Sequence, residues 1–137
     1  EINNLMYQLP VTQKRVNPPL VGAWELVGYY NYVNNKVSDT FEVRNGYRQV
    51  KMFSPSRVIW AKKVPADSTE WFGYGTYCIK DGKLIEILDY GSIMMSRIIQ
   101  EKKEFVYELQ IDGNTFSQIN IDDQGNRYYS ENYIRVE

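Results

Sequence analysis

From Leu20 onward the sequence reads as strand-length runs separated by turn residues, with no long helical pattern between any pair. The runs are Leu20–Val33, Tyr47–Phe53, Arg57–Val64, Trp71–Ile79, Lys83–Tyr90, Lys103–Ile111, Asn114–Ile121 and Arg127–Val136. Apolar residues recur within them at period two, the repeat of a pleated strand. Trp24, Leu26, Gly28, Tyr30 and Tyr32 fall on one face of the first run, and Phe105, Tyr107, Leu109 and Ile111 on one face of a later one. Asn34-Asn35-Lys36, Ser54-Pro55-Ser56, Asp81-Gly82, Asp112-Gly113 and the segment 122–126 supply turn chemistry between runs. A parallel sheet needs long crossovers, usually helices, and the sequence offers none. The pattern therefore predicts an all-β chain, a single antiparallel up-and-down β-barrel of about eight strands, because closure removes exposed edges. A barrel of that size holds side chains or one small ligand.

Two stretches stand apart. Residues 1–19, with Pro10 and Asn17-Pro18-Pro19, are expected to be a tail carrying one short helical turn at Leu5–Leu9, ahead of a barrel domain over 20–137. Ser92–Gln100 fits a helix face or a bulged strand through Ile93, Met94, Met95, Ile98 and Ile99, and the strand is preferred.

Composition narrows the function. The chain has 137 residues, a net charge of -1, no histidine and one cysteine, Cys78. A Ser-His-Asp or Cys-His catalytic arrangement is thereby excluded, and so are a Cys/His zinc site and an intrachain disulfide. Cys78 itself reads as a small buried apolar residue. No basic stripe suggests nucleic acid, and no apolar run is long enough for a transmembrane helix. Asp122-Asp123 with Asn126 offers oxygen ligands, but Gly125 makes an ordinary turn the better reading, so no metal and no cofactor are expected. The sequence opens on Glu1 and not on Met, as expected of a trimmed or mature form.

The first run carries Leu20 and then Gly22-Ala23-Trp24, and the last carries Tyr133-Ile134-Arg135-Val136. This resembles the lipocalins, which have Gly-x-Trp on the first strand and an arginine near the end of the barrel, over the indole. Gly75-Thr76-Tyr77-Cys78-Ile79 with Leu84, Glu86 and Tyr90 is similar to the middle of lipocalin-like domains of secreted bacterial proteins of unknown function. The resemblance covers residues 20–137. It implies a barrel closed by Gly22, Trp24 and Arg135, transport of a hydrophobic ligand, and export to the periplasm or cell surface. Lipocalins usually add a helix after the barrel and often a disulfide, and neither is seen in this sequence.

The residue pattern suggests an aromatic-lined cavity continuing the inward face of Trp24: Tyr30 and Tyr32, with Met52, Trp60, Tyr77, Phe105 and Tyr107 from partner strands. A filled core is the competing expectation. Glu86 shares a face with Leu84 and Leu88; if that face is inward, the carboxylate is buried and needs a partner from Arg57, Arg97 or a tyrosine. If Ile85 and Ile87 point inward, Glu86 is solvated. The paired Met94 and Met95 read as core packing ahead of a binding surface.

Three functions follow. The first is a non-catalytic binding protein for a small hydrophobic or amphipathic molecule held in the barrel. The second is a protein- or glycan-interaction module using the loops 34–46 and 65–70, beside Trp71 and Phe72. The third is an enzyme working through Glu86 and inward tyrosines, on a plan like that of phenolic acid decarboxylases, but no motif of those enzymes is present.

Overall fold

A computed structural model describes residues 18–64 and 70–137. Residues 1–17 of the expected tail, with its helical turn at 5–9, and most of the 65–70 loop lie outside the described residues, while Pro18 and Pro19 form a 3₁₀ turn with Leu20. The elements are a 3₁₀ turn at Pro18–Leu20, then β1 (Gly22–Val33), β2 (Lys36–Glu42), β3 (Arg48–Phe53), β4 (Arg57–Lys63), β5 (Trp71–Lys80), β6 (Lys83–Gly91), α1 (Ile93–Glu101), β7 (Glu104–Asp112), β8 (Thr115–Ile121) and β9 (Arg127–Arg135).

Every strand pairing is antiparallel, and β1 pairs with β9 from Trp24↔Arg135 to Asn31↔Tyr129. β1 and β3 to β9 thus close a ring of eight strands, the all-β up-and-down barrel expected of the sequence. The ninth strand, β2, extends the sheet along the C-terminal half of β1.

Four parts of the sequence reading need correction. Residues 36–42 are a strand and not a loop. Asn34 and Asn35 both take positive φ, 54° and 66°, and turn the chain back in a two-residue hairpin. All seven residues of β2 are exposed, so the strand has no buried face and no alternation to betray it. The segment Ser92–Gln100, read as a strand, is the nine-residue helix α1. β6 and β7 pair only as far as Ile87↔Glu104, and Gly91 lets the chain turn off the sheet where a Cβ would lie 2.4 Å from the Phe72 carbonyl oxygen. Met95 is buried beneath the helix and Met94 is exposed, so only one of the pair packs. Cys78 is also exposed, because Tyr77 takes the inward position beside it.

The strands run between two different ends. At one end lie the start of β1 and the end of β9. There Leu20, Trp24, Leu26, Phe53, Val58, Tyr77, Leu84, Phe116 and Tyr133 form the apolar core. Trp24 meets Phe116 edge-on with ring centres 4.8 Å apart, and Phe53 meets Tyr77 at the same distance. The Trp24 indole nitrogen donates to the Leu20 carbonyl at 2.9 Å. Arg135 lies 4.2 Å over the Trp24 ring, while its Nη1 and Nη2 donate to the carbonyls of Val21 and Pro19 at 2.6 and 3.0 Å. Gly22, at φ 134°, takes a conformation open to glycine, and a Cβ there would lie 2.7 Å from Arg135 Nη1. At the other end the turn 34–35, the helix α1 and the turn 122–126 surround the mouth of the barrel.

Candidate functional site

Above the aromatic floor the barrel is not filled. A half-open pocket of about 150 Å³ lies between the inward side chains of β3, β4, β6, β7, β8 and β9, with Met95 of α1 at its side. Its walls combine Trp60, Leu88, Met95, Phe105, Tyr107 and Tyr133 with Gln49, Lys51, Lys62, Glu86, Gln118 and Glu131.

The polar set comes from strand parity. Phe53 belongs to the core, so Lys51 and Gln49, two and four residues before it, point the same way. Leu84 and Leu88 bury their side chains, so Glu86 between them is buried too. Lys51 and Glu86 are 2 % and 1 % exposed. The Lys51 ammonium donates to Glu86 Oε2 and, at 2.6 Å, to Gln118 Oε1. It also sits 5.4 to 6.0 Å from the ring centres of Phe53, Tyr107 and Tyr133. Two charges taken from water need such compensation: each ion meets the other, and Gln118 and the three ring faces add to the shell of the ammonium.

A second polar group adjoins the first. Gln49 Nε2 donates to the Tyr133 hydroxyl at 2.7 Å and to Glu131 Oε1 at 3.1 Å. The Tyr133 hydroxyl donates to the same carboxylate oxygen at 3.0 Å. Burial, then the Glu131 charge, holds the Tyr133 hydroxyl well above the usual tyrosine range; burial, then Glu86, does the same to Tyr107. Both rings therefore face the pocket as neutral phenols. Toward the mouth a shallow groove continues past Lys62 and Glu131 to Tyr29, Tyr47 and Tyr129. Tyr29 and Tyr129 stack there with ring centres 5.8 Å apart.

Of the eight residues singled out in the sequence for an aromatic cavity or, in the case of Glu86, as a buried carboxylate, the structure brings Trp60, Glu86, Phe105 and Tyr107 to the pocket. It does not bring the other four. Met52 is 49 % exposed on the outer face, because Phe53 fixes the parity of β3. Tyr77 is in the floor, its hydroxyl donating to the Ser54 carbonyl at 2.7 Å. Tyr30 and Tyr32 face away from the interior. One extra residue at Val27 shifts the register against β9, so Leu26 pairs with Tyr133 but Gly28 with Asn132. Beyond that bulge Tyr29 turns toward the core, and the Tyr32 hydroxyl donates to Ser130 Oγ at 3.1 Å. The Glu86 partner is Lys51, not Arg57, Arg97 or a tyrosine.

Gln49, Lys51, Gln118 and Glu131 were missed by the sequence reading. Their signal was parity with Phe53, Phe116 and Tyr133, two or four residues away on the same strands. The apolar Val50 and Met52 masked it by suggesting the opposite face. No group of acidic, histidine or cysteine side chains among the described residues is arranged to hold a metal ion. Asp122 Oδ1 is instead spent on the turn, accepting from Gln124 N at 2.9 Å and Asn126 N at 2.8 Å.

An eight-strand closed barrel with one short helix packed beside β5 and β6 is a lipocalin-like fold. A lipocalin-like protein from Bacteroides uniformis has a similar solved structure, with a TM-score of 0.57 and 11 % identity, over 85 % of this chain and 98 % of that one. So does an uncharacterized protein from Bacteroides eggerthii, with a TM-score of 0.52 and 14 % identity, over 83 % and 99 %. No protein-family model matches the sequence, and no curated protein is significantly similar to it. At these identities the likeness shows the fold alone. No helix among the described residues is long and apolar enough to cross a membrane.

Proposed function

We propose that this is a non-catalytic binding protein that holds one small amphipathic molecule inside the barrel. The carrying observation is the pocket itself: about 150 Å³ left open between aromatic walls and a buried ion pair. Drug-sized ligands occupy roughly 300–1,000 Å³, so the molecule fitting here is small, of the order of a single substituted ring. Trp60 and Phe105 offer apolar contact to its body, and Glu131 and the tyrosine hydroxyls offer polar contact to one end. Lys51 and Glu86 pair with each other and support the wall. Export, implied by the lipocalin resemblance, belongs to the same reading, and fractionation of cells producing the full-length protein checks it.

Native mass spectrometry of the purified protein tests the proposal. The expected result is a mass in excess of the chain, released on denaturation as one small molecule. Protein that is free of any such molecule, and whose melting temperature no small amphipathic compound raises, would overturn it.

One observation favours the interaction-module reading. Met52, Ile59, Tyr74 and Tyr90 are consecutive cross-strand partners on the outer face of β3 to β6, and Met52, Ile59 and Tyr90 are exposed. A contiguous apolar row of this kind marks a contact surface. Serine substitution along it is expected to reduce partner capture and leave ligand retention unchanged.

A further inference from the structure

The barrel holds a second carboxylate that forms no ion pair with any described residue. Glu131 stands on the inner face of β9, two residues before Tyr133, where the pocket and the mouth groove meet. Its Oε1 accepts three hydrogen bonds from neutral donors: Gln49 Nε2 at 3.1 Å, Gln118 Nε2 at 3.3 Å and the Tyr133 hydroxyl at 3.0 Å. Its Oε2 has no partner among the described residues, and no lysine or arginine nitrogen of those residues lies within 4.0 Å of it. The two inward lysines are engaged elsewhere. Lys51 is held by Glu86 and Gln118, and Lys62 lies 5.0 Å over the ring of Trp71.

Tyrosines surround this carboxylate. The hydroxyls of Tyr29, Tyr107, Tyr129 and Tyr133 are all held up first by burial, with the Glu131 charge among the further causes. They stay neutral and bring no charge of their own. A phenol ring presents a negative face, so a wall of them attracts a cation and repels an anion. A carboxylate oxygen without a partner in a partly desolvated site acts in the same direction. Lys62, which lines the same pocket and groove, and the exposed Arg44 of the groove act against it, at distances beyond an ion pair and partly screened by solvent.

The geometry points to a small organic cation as the ligand of this barrel: an ammonium on an aromatic or apolar body, its nitrogen paired with Glu131 Oε2. This rests on the reading of the barrel as a binding protein and names the ligand class that reading leaves open. The three neutral donors on Oε1 fix the carboxylate in place, so little ordering is left for the ligand to pay.

Calorimetric titration with three probes that share one phenol ring and differ in charge tests this. The probes are tyramine, the neutral tyrosol and the anionic 4-hydroxyphenylacetate, at neutral pH and low salt. Tyramine is expected to bind at least tenfold more tightly than either of the others. Glu131→Gln, which keeps an acceptor for Gln49, Gln118 and Tyr133, is expected to cost tyramine at least tenfold and leave tyrosol unchanged. Equal or tighter binding of tyrosol or 4-hydroxyphenylacetate overturns the assignment, and so does undiminished selectivity in folded Glu131→Gln. If that variant fails to fold, the comparison on the unaltered protein decides alone. Failure of all three probes overturns the cation assignment; a neutral or anionic molecule found by native mass spectrometry would then leave the binding function standing. Absence of both removes the function as well.

Discussion

Lys51 donates to the carboxylate of Glu86 inside the barrel, joining β3 to β6 across the interior and not along a pair of neighbouring strands. The contact fixes the distance between opposite walls, and the pocket lies against it. Removing one partner leaves an uncompensated buried charge, which costs about 3–5 kcal/mol, whereas replacing both by apolar groups of similar volume is far milder. Lys51→Met and Glu86→Leu alone are therefore each expected to lower stability by about that amount, and the double substitution to recover most of it. Denaturant unfolding of the four proteins gives the coupling directly. Additive losses would mean that the two side chains do not depend on each other.

The floor of the barrel makes a separate prediction. Trp24 is wholly buried beneath Arg135 and against Phe116. Trp24→Ala is expected to cost about 3–5 kcal/mol, the usual penalty for a large aromatic cavity. Arg135→Lys keeps the charge but loses the planar fork that reaches the Val21 and Pro19 carbonyls, and is expected to cost about 1–2 kcal/mol. Thermal melts check both; an unchanged melting temperature for Trp24→Ala would contradict its place in the core.

Gly73 and Gly75 distinguish a soft neighbour from a hard one. A Cβ on Gly73 would come within 2.7 Å of Trp60 Nε1, a side chain able to move into the pocket. A Cβ on Gly75 would come within 1.9 Å of the Ile87 carbonyl oxygen, which cannot move without the sheet. Gly73→Ala is expected to fold, shift the tryptophan emission and weaken ligand retention. Gly75→Ala is expected to lose about 1–3 kcal/mol or more, as overpacking against backbone does. Similar melting temperatures for the two would contradict the difference.

Alkaline pH gives a further check. Burial pushes the Tyr129 hydroxyl up to about 12, and those of Tyr29, Tyr107 and Tyr133 move the same way. A tyrosine whose folded value is raised binds its proton more firmly in the native state than in the unfolded chain. The resulting stability is complete below the unfolded value of about 10 and is lost as pH rises through the folded one. Melting temperature is thus expected to fall from about pH 10 to pH 12, with part of the tyrosinate absorbance appearing only on unfolding. A melting temperature flat across that window would contradict the burial of these hydroxyls.

The ring of strands was legible because apolar alternation and turn chemistry agree in most of the chain. Phe105, Tyr107, Leu109 and Ile111 on β7 are a case in point, as is the hairpin turn of Asp81 and Gly82 with its two positive φ angles. Legibility failed where those signals separate. β2 has no buried face and hence no alternation. One bulge at Val27 sends Tyr30 and Tyr32 outward and brings Tyr29 in, a one-residue event that composition does not register. The polar half of the site was hidden for a different reason. Lys51 and Glu86 occupy positions where apolar residues are the rule, and each is tolerable only because the other is present, a relation between residues 35 apart in the chain.

The proposed binding takes place in the interior of the barrel. Chemical-shift mapping of the isotope-labelled protein against a mixture of small single-ring compounds tests it most directly. Shifts are expected to concentrate on Trp60, Glu86, Phe105, Tyr107 and Glu131. Shifts confined to the outer row of Met52, Ile59, Tyr74 and Tyr90, with the interior silent, would contradict it.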